Sequence, residues 1–259
     1  MAKGATGPTL KPDIERVTSA VVIIPARMAA QRLPGKPLVD IGGLPMIVRA
    51  LRQAQAAGIG PVAVAAGDPE IAEVVKAHGG QAILTDPNLP SGSDRVRAAL
   101  QALDPEGQFD SVINLQGDMP FVDPATVAAV ARLMAEEPGC DIGTAVAIEA
   151  SADDRANADV VKAVLAMTEP ERGRALYFTR STLYGDGPVW RHIGIYGYRR
   201  AALERFCAAP PSPLERREKL EQLRALEMGL SIWAAVVDEA PISVDNPSDL
   251  EAARASVAS

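Results

Sequence analysis

Short apolar runs take turns with segments of helical period from residue 20 onward, the spacing leaves room for crossover helices, and the rhythm loosens only between about residues 141 and 200. These three observations predict an α/β fold: a mainly parallel sheet flanked by helices, with a smaller mixed-sheet subregion where the rhythm loosens. There is no internal repeat and no linker, so residues 20–259 are expected to form a single domain. Residues 1–19, MAKGATGPTLKPDIERVTS, hold no apolar run and are expected to be a flexible tail.

AVVIIPA (20–26) is apolar throughout, as a strand buried on both faces should be. PMIVRALRQAQAAG (45–58) spaces its apolar residues at helical period and stops at Gly58. The strand PVAVAA (61–66), the helix DPEIAEVVKAHGG (68–80) and the strand QAILT (81–85) follow. His78 reads simply as a residue at that helix's C-terminus. SGSDRVRAALQAL (91–103) is a helix capped by Ser91 or Ser93. Next come the strand FDSVINLQ (109–116) and the helix DPATVAAVARLMAEE (123–137), capped by Asp123 ahead of Pro124. DIGTAVAI, DVVKAVLAM, RALYFTR and HIGIYGY read as strands with few helices between them. PLERREKLEQLRALEMG (213–229) is expected as one helix, with Leu220, Leu223 and Leu230 buried and Glu221 on the flank. SIWAAVV (231–237) is a strand and PSDLEAARAS (247–256) a terminal helix.

Of the 259 residues, 47% are hydrophobic and 23% charged, the balance of a soluble globular protein with room for a core. A net charge of -7 provides no basic field for nucleic acid, so any polyanion must be met by local cations. No apolar run reaches the roughly 18 residues of a membrane span, and the N-terminus lacks the middle segment of a signal peptide. We therefore expect a cytoplasmic protein with no membrane or nucleic-acid partner. Cys140 and Cys207 lie far apart with no C-x-x-C pairing, so neither a zinc site nor a disulfide framework is indicated.

In parallel α/β sheets ligands sit beyond the carboxyl ends of strands, which selects the candidates. After the first strand, RMAAQRLPGK holds Arg27, Arg32 and Lys36. It fits neither glycine-loop pattern, because Ala30 and Pro37 break G-x-x-x-x-G-K-[ST] and Gly42-Gly43 does not make G-x-G-x-x-G. Its cations would have to meet a phosphate themselves; a solvated basic loop is the competing reading, and Arg32, mid-loop, is the weakest of the three. After VINL, Gln116-Gly117-Asp118 presents a carboxylate where Mg²⁺ is commonly held with substrate phosphates. Asp245 after the last strand is a possible second carboxylate, although Asn246-Pro247-Ser248 equally suits a plain turn and helix cap. Arg95 in a helix's first turn opposes the helix dipole unless an anion or base edge lies near. In RHIGIYGY, His192, Gly194, Tyr196 and Tyr198 share one strand face, and Gly194 leaves a gap beside the imidazole and the Tyr196 ring, with close strand packing as the alternative. Glu221 and Gln222 matter only if their flank borders a pocket.

PARMAAQRLPGKPL, SGSDR, NLQGDMP, ALYFTRS, RHIGIYGYR, SPLERREKLEQLRAL and VDNPSDL together resemble the 3-deoxy-manno-octulosonate (Kdo) cytidylyltransferase family over roughly residues 20–255. RLPGKPL alone would mark only the wider group of sugar nucleotidyltransferases; RHIGIYGYR and LEQLR resemble the Kdo branch. The resemblance implies a nucleotide-binding sheet, a homodimer whose smaller subregion at about 141–200 serves dimerisation and the sugar site, and CMP transfer from CTP to a 2-keto-3-deoxy sugar acid. It implies Arg27 and Lys36 on the CTP phosphates, with Arg32 a lesser contact, Arg95 and Gln116 at the nucleoside, and Asp118 and Asp245 on Mg²⁺. Lys36, Asp118 and Arg27 would carry catalysis. Arg180, His192, Tyr196, Glu221 and Gln222 would line the sugar-acid site, Arg180 facing the carboxylate. Three departures stand out: Met119 replaces a usual Glu, STLYGDGPVWR between Arg180 and His192 is short, and SVDNPSDL replaces the more usual GVDTPEDL. A related acid such as 8-amino-Kdo or a nonulosonic acid is the alternative substrate.

Overall fold

The computed structural model describes residues 20–29, 32–149, 155–183, 185 and 187–258; the tail expected at residues 1–19 lies outside them. Strands β1 (Ala20–Ala26), β4 (Val62–Ala66), β5 (Gln81–Leu84) and β6 (Ser111–Asn114) pair in parallel, in the order β5-β4-β1-β6. Helices α1 (Met46–Ala56), α2 (Pro69–Ala77), α3 (Gly92–Leu103) and α4 (Pro124–Glu136) flank them. Between β1 and α1 lies a two-residue-loop hairpin, β2 (Asp40–Ile41) with β3 (Leu44–Pro45). Gly42 and Gly43 turn it with φ of 57° and 80°, a conformation other residues rarely adopt.

The sheet does not stop at β6. β10 (Val189–Arg199) runs antiparallel to β6 and β7 (Ile142–Glu149), β7 pairs in parallel with β11 (Ile232–Val237), and β9 (Arg172–Thr179) and β8 (Lys162–Glu169) close the far edge. The mixed region therefore extends the same sheet, nine strands across the described residues. β1 is apolar on both faces because both are covered. One face packs Val96, Leu100, Leu203, Phe206 and Leu223; the other packs Ile47, Leu51, Ile71, Val127 and Val130.

Two helical expectations are corrected. The segment 213–229 is not one helix but two, α6 (Pro213–Glu218) and α7 (Gln222–Glu227), broken at Lys219, which adopts φ 55°. The Ser212–Glu215 capping box explains where α6 begins; with neither Gly nor Pro at 219 the break leaves no mark in the sequence. Helix α5 (Arg200–Ala208) was not foreseen, because it follows β10 directly from Arg199 with no side-chain cap. Asp123 and Ser91 cap α4 and α3 as expected, accepting from Ala125 and Asp94 N–H.

A third, smaller core joins Leu33, Ile41, Met46, Val244, Leu250 and Ala253. It clamps the loop after β1 to the last helix, α8 (Pro247–Ala258), and so sets the site described next. Cys140 is buried and Cys207 half-buried; burial pushes both thiols up to about 12, so neither is a thiolate at neutral pH.

Candidate active site

The carboxyl ends of the parallel strands open into a cleft of about 930 Å³. β1 leads Arg27 to it, the following loop brings Arg32 and Lys36, α3 brings Ser91 and Arg95, β6 brings Gln116 and Asp118, and the segment after β11 brings Asp245. Gly117 suits this position: a Cβ would lie 3.1 Å from Ile47 and 3.3 Å from the Pro25 carbonyl, a tight fit, so the turn carrying Asp118 packs closely on β1.

Lys36 is the hub. Gly35 turns the chain with φ 66°, and the Lys36 ammonium donates to Asp118 Oδ2 at 2.8 Å and Asp245 Oδ1 at 2.9 Å. Burial works against this charge, but the two aspartates outweigh it and Lys36 stays protonated with its pKa raised. Asp118 is pushed up by burial, with Lys36 opposing. Val244 N–H donates to the Asp118 carbonyl, stitching the two loops together. The last loop forms the helix cap and also turns the Asp245 side chain toward Lys36. Asn246 Oδ1 accepts from Asp249 N–H as the cap, and Asp249 in turn accepts from Asp245 N–H, leaving the Asp245 carboxylate for Lys36.

Arg32 pairs with Asp245 at 3.5 Å with its side chain 71% exposed, a contact of small energetic weight. Arg27 is exposed on the cleft wall. Arg95 lines the cleft wall but is 2% exposed, and its donors go to Thr85 Oγ1 and the Asp86 and Pro87 carbonyls. These oxygens offset the dipole conflict, while burial and nearby Arg27 lower its pKa. Gly67 leaves room for the guanidinium in this position, since a Cβ there would lie 2.7 Å from it. Gln116 donates to Asn114 Oδ1 at 2.8 Å, which fixes its carboxamide.

The remaining candidates form a second region that does not line this cleft. His192 and Tyr196 lie 5.5 Å apart, ring to ring, with Phe178 edge-on to the imidazole at 4.9 Å. Burial pushes His192 down to about 3 and raises Tyr196. Nothing lies within 4 Å of a Cβ at Gly194, so the space there is open, but the His192 and Tyr196 rings stand close together rather than apart. Glu221, at the start of α7, accepts from Ser93 at 3.3 Å and from Arg224 at 3.0 Å, and burial raises its pKa. Gln222 is buried next to it. Ser91 and Ser93, one on the cleft wall and the other under Glu221, link the two regions. Arg180 donates to the Ala158 and Asp159 carbonyls and is not brought to the cleft. Met119 is a core residue, so it does not face the aspartates. Sequence reasoning missed Thr144, Ser93 and Arg224; a buried strand threonine and a capping-type serine carry no local sign of their partners.

Two carboxylates within reach of one ammonium are hard oxygen donors that suit Mg²⁺, and no third Asp, Glu, His or Cys joins them among the described residues. A cation that takes one or two carboxylates and fills its shell from phosphate and water fits that set. Cations and carboxylates gathered at the carboxyl edge of a parallel sheet, without a glycine-rich loop, suit an α/β enzyme that handles phosphate-bearing ligands. A sequence model of the Cytidylyltransferase family matches residues 21–232. The chain is 56% identical over 239 residues to a 3-deoxy-manno-octulosonate cytidylyltransferase of Parvibaculum lavamentivorans, covering 92% of each, and 58% identical over 235 residues to one of Rhodopseudomonas palustris, covering 90% and 96%. A solved CMP:2-keto-3-deoxy-manno-octonic acid synthetase complexed with CTP superposes with a TM-score of 0.84 at 37% identity, covering 93% of this chain and 98% of that one. The 4-diphosphocytidyl-2C-methyl-D-erythritol synthase of Anaerococcus prevotii, at 12% identity and a TM-score of 0.64, shares the fold. The chain belongs to the 3-deoxy-manno-octulosonate cytidylyltransferase family.

Proposed function

We propose that this protein transfers CMP from CTP to the anomeric hydroxyl of Kdo, releasing pyrophosphate and giving CMP-Kdo for lipopolysaccharide synthesis. The names of its relatives support the reaction, and the observation that carries it in this chain is the Lys36–Asp118–Asp245 junction in a cleft rimmed by arginines.

The anomeric oxygen forms a bond to the α-phosphorus as the bond to the departing pyrophosphate breaks. Little covalent work falls to the protein; positioning and charge neutralisation carry the acceleration. Lys36 and Arg27 would meet the phosphates, Lys36 exchanging an aspartate for a phosphate oxygen, while Gln116, with Arg95 buttressing the neighbouring wall, would border the nucleoside. Asp118 and Asp245 would hold Mg²⁺, which when bound would offset phosphate charge and acidify the attacking hydroxyl. His192 is too weak a base to take that proton at neutral pH, so its role is to bind. With Tyr196, Glu221 and Gln222 it would line the sugar-acid pocket. Arg180 would face the carboxylate only if its guanidinium left the 158–159 carbonyls.

Exposed Ile148, Met167 and Leu176 on the mixed strands support a homodimer through that region. Two unpaired thiols suit a reducing cytoplasm, and no helix among the described residues is long and apolar enough to cross a membrane. The test is pyrophosphate release with CTP, Mg²⁺ and a panel of sugar acids, including 8-amino-Kdo and a nonulosonic acid. Turnover of Kdo ahead of the panel is the expected result, and turnover of another acid alone would overturn the substrate.

A further inference from the structure

β10 and β7 pair in regular register through His192↔Val146 and Ile193↔Ala145, and then the next partners are Tyr196↔Thr144. Gly194 and Ile195 are thus two extra residues on β10. An even insertion keeps His192 and Tyr196 on one face, but it takes carbonyls out of the ladder. The fully buried Thr144 hydroxyl fills that irregularity. Its Oγ1 lies 2.8 Å from the Ile195 carbonyl, 3.2 Å from the Ile193 carbonyl and 3.0 Å from His192 Nε2.

A hydroxyl has one proton, and carbonyl oxygens only accept. If Thr144 donated to the imidazole, its lone pairs would face two carbonyl oxygens with no hydrogen between them. The satisfied arrangement has Thr144 donating to a carbonyl and accepting from Nε2–H. We infer that Thr144 is a positioning residue, whose hydroxyl holds His192 as the Nε2–H tautomer and leaves Nδ1 as a bare acceptor for a hydroxyl of the sugar acid. Among the described residues Nδ1 has no hydrogen-bond partner, and the space beside Gly194 is open. A lone pair on Nδ1 attracts a hydroxyl and repels a carboxylate. His192 therefore selects one end of a polyhydroxy acid and leaves the carboxylate to a cation.

This assignment rests on the sugar-acid reading above, so its test has an arm that needs no substrate. The chain has two histidines, so in His78→Gln protein labelled with ¹⁵N-histidine the single ring reports His192. At neutral pH the nitrogen shifts should show protonated Nε2 and bare Nδ1. Thr144→Val should abolish that pattern and raise KM for the sugar acid about ten-fold, the value of one good hydrogen bond, with KM for CTP unchanged. Thr144→Ser should restore both. An Nδ1–H tautomer in the parent protein overturns the inference, as does a folded Thr144→Val protein with unaltered KM for the sugar acid. The expected tautomer in a protein that turns over no sugar acid would support the Thr144 contact and overturn the reaction instead.

Discussion

The two halves of the candidate site are built on opposite principles. The phosphate half is a meeting of loops: Lys36, Asp118 and Asp245 come from three distant parts of the chain and form a partly buried ionic junction. The sugar half is laid on strands and short helices, with His192 and Tyr196 on one β10 face, neutral, buried and spaced by aromatic contacts. Charges held by loops can exchange partners as a triphosphate arrives. Neutral groups held by a sheet cannot, so they suit discrimination between similar polyols.

That contrast sets the expected order of damage. Asp118→Asn removes the Lys36 anchor and the carboxylate proposed to hold Mg²⁺; kcat should fall by on the order of 1000-fold in a pyrophosphate assay while weak CTP binding persists. Near-parental activity would break the assignment. Lys36→Met should lower kcat/KM about 100-fold, and Lys36→Arg should restore little of it, because the larger planar guanidinium would spread its charge and displace the compact contact that the ammonium makes with Asp118 and Asp245.

Gly67→Ala forces a methyl against Arg95 and should cost about 1–3 kcal/mol in denaturant melts, with a raised KM for CTP and an unchanged KM for the sugar acid. Equal effects on both would mean the halves are not separable. His192 sharpens the comparison from the other side. Its pKa falls from 6.5 unfolded to about 3 folded, so between those values the unfolded chain binds the extra proton. Stability should decline as pH drops through that window, and His192→Gln should flatten the decline. Arg32→Ala should be mildest, changing stability by less than about 0.5 kcal/mol and kcat/KM by under about threefold.

The legibility of the molecule follows the same division. The parallel strands, their helices and the positions of Arg27, Lys36, Asp118 and Asp245 were readable because an apolar run followed by charge marks a strand's carboxyl edge. The β2–β3 turn was written in Gly42-Gly43 but passed over as a failed phosphate motif. What could not be read was side-chain partnership across the fold. Arg95 sits on a helix where a ligand contact is a natural expectation, and only folding reveals that loop carbonyls claim it. Arg180 likewise shows its partners, the Ala158 and Asp159 carbonyls, only in the fold. Lys219 adopts a left-handed conformation for which its sequence offers no warning, and one expected helix becomes two.

The small core of Leu33, Ile41, Met46, Val244, Leu250 and Ala253 has a temporal meaning as well as a spatial one. Lys36 is made early, and Asp245 lies 209 positions later. On a growing chain the lysine and Asp118 are already present while the second carboxylate, and the helix whose docking aims it, have yet to be made. The charge junction therefore closes last, and a chain that stalls short of α8 carries a nucleotide sheet without a finished reaction centre.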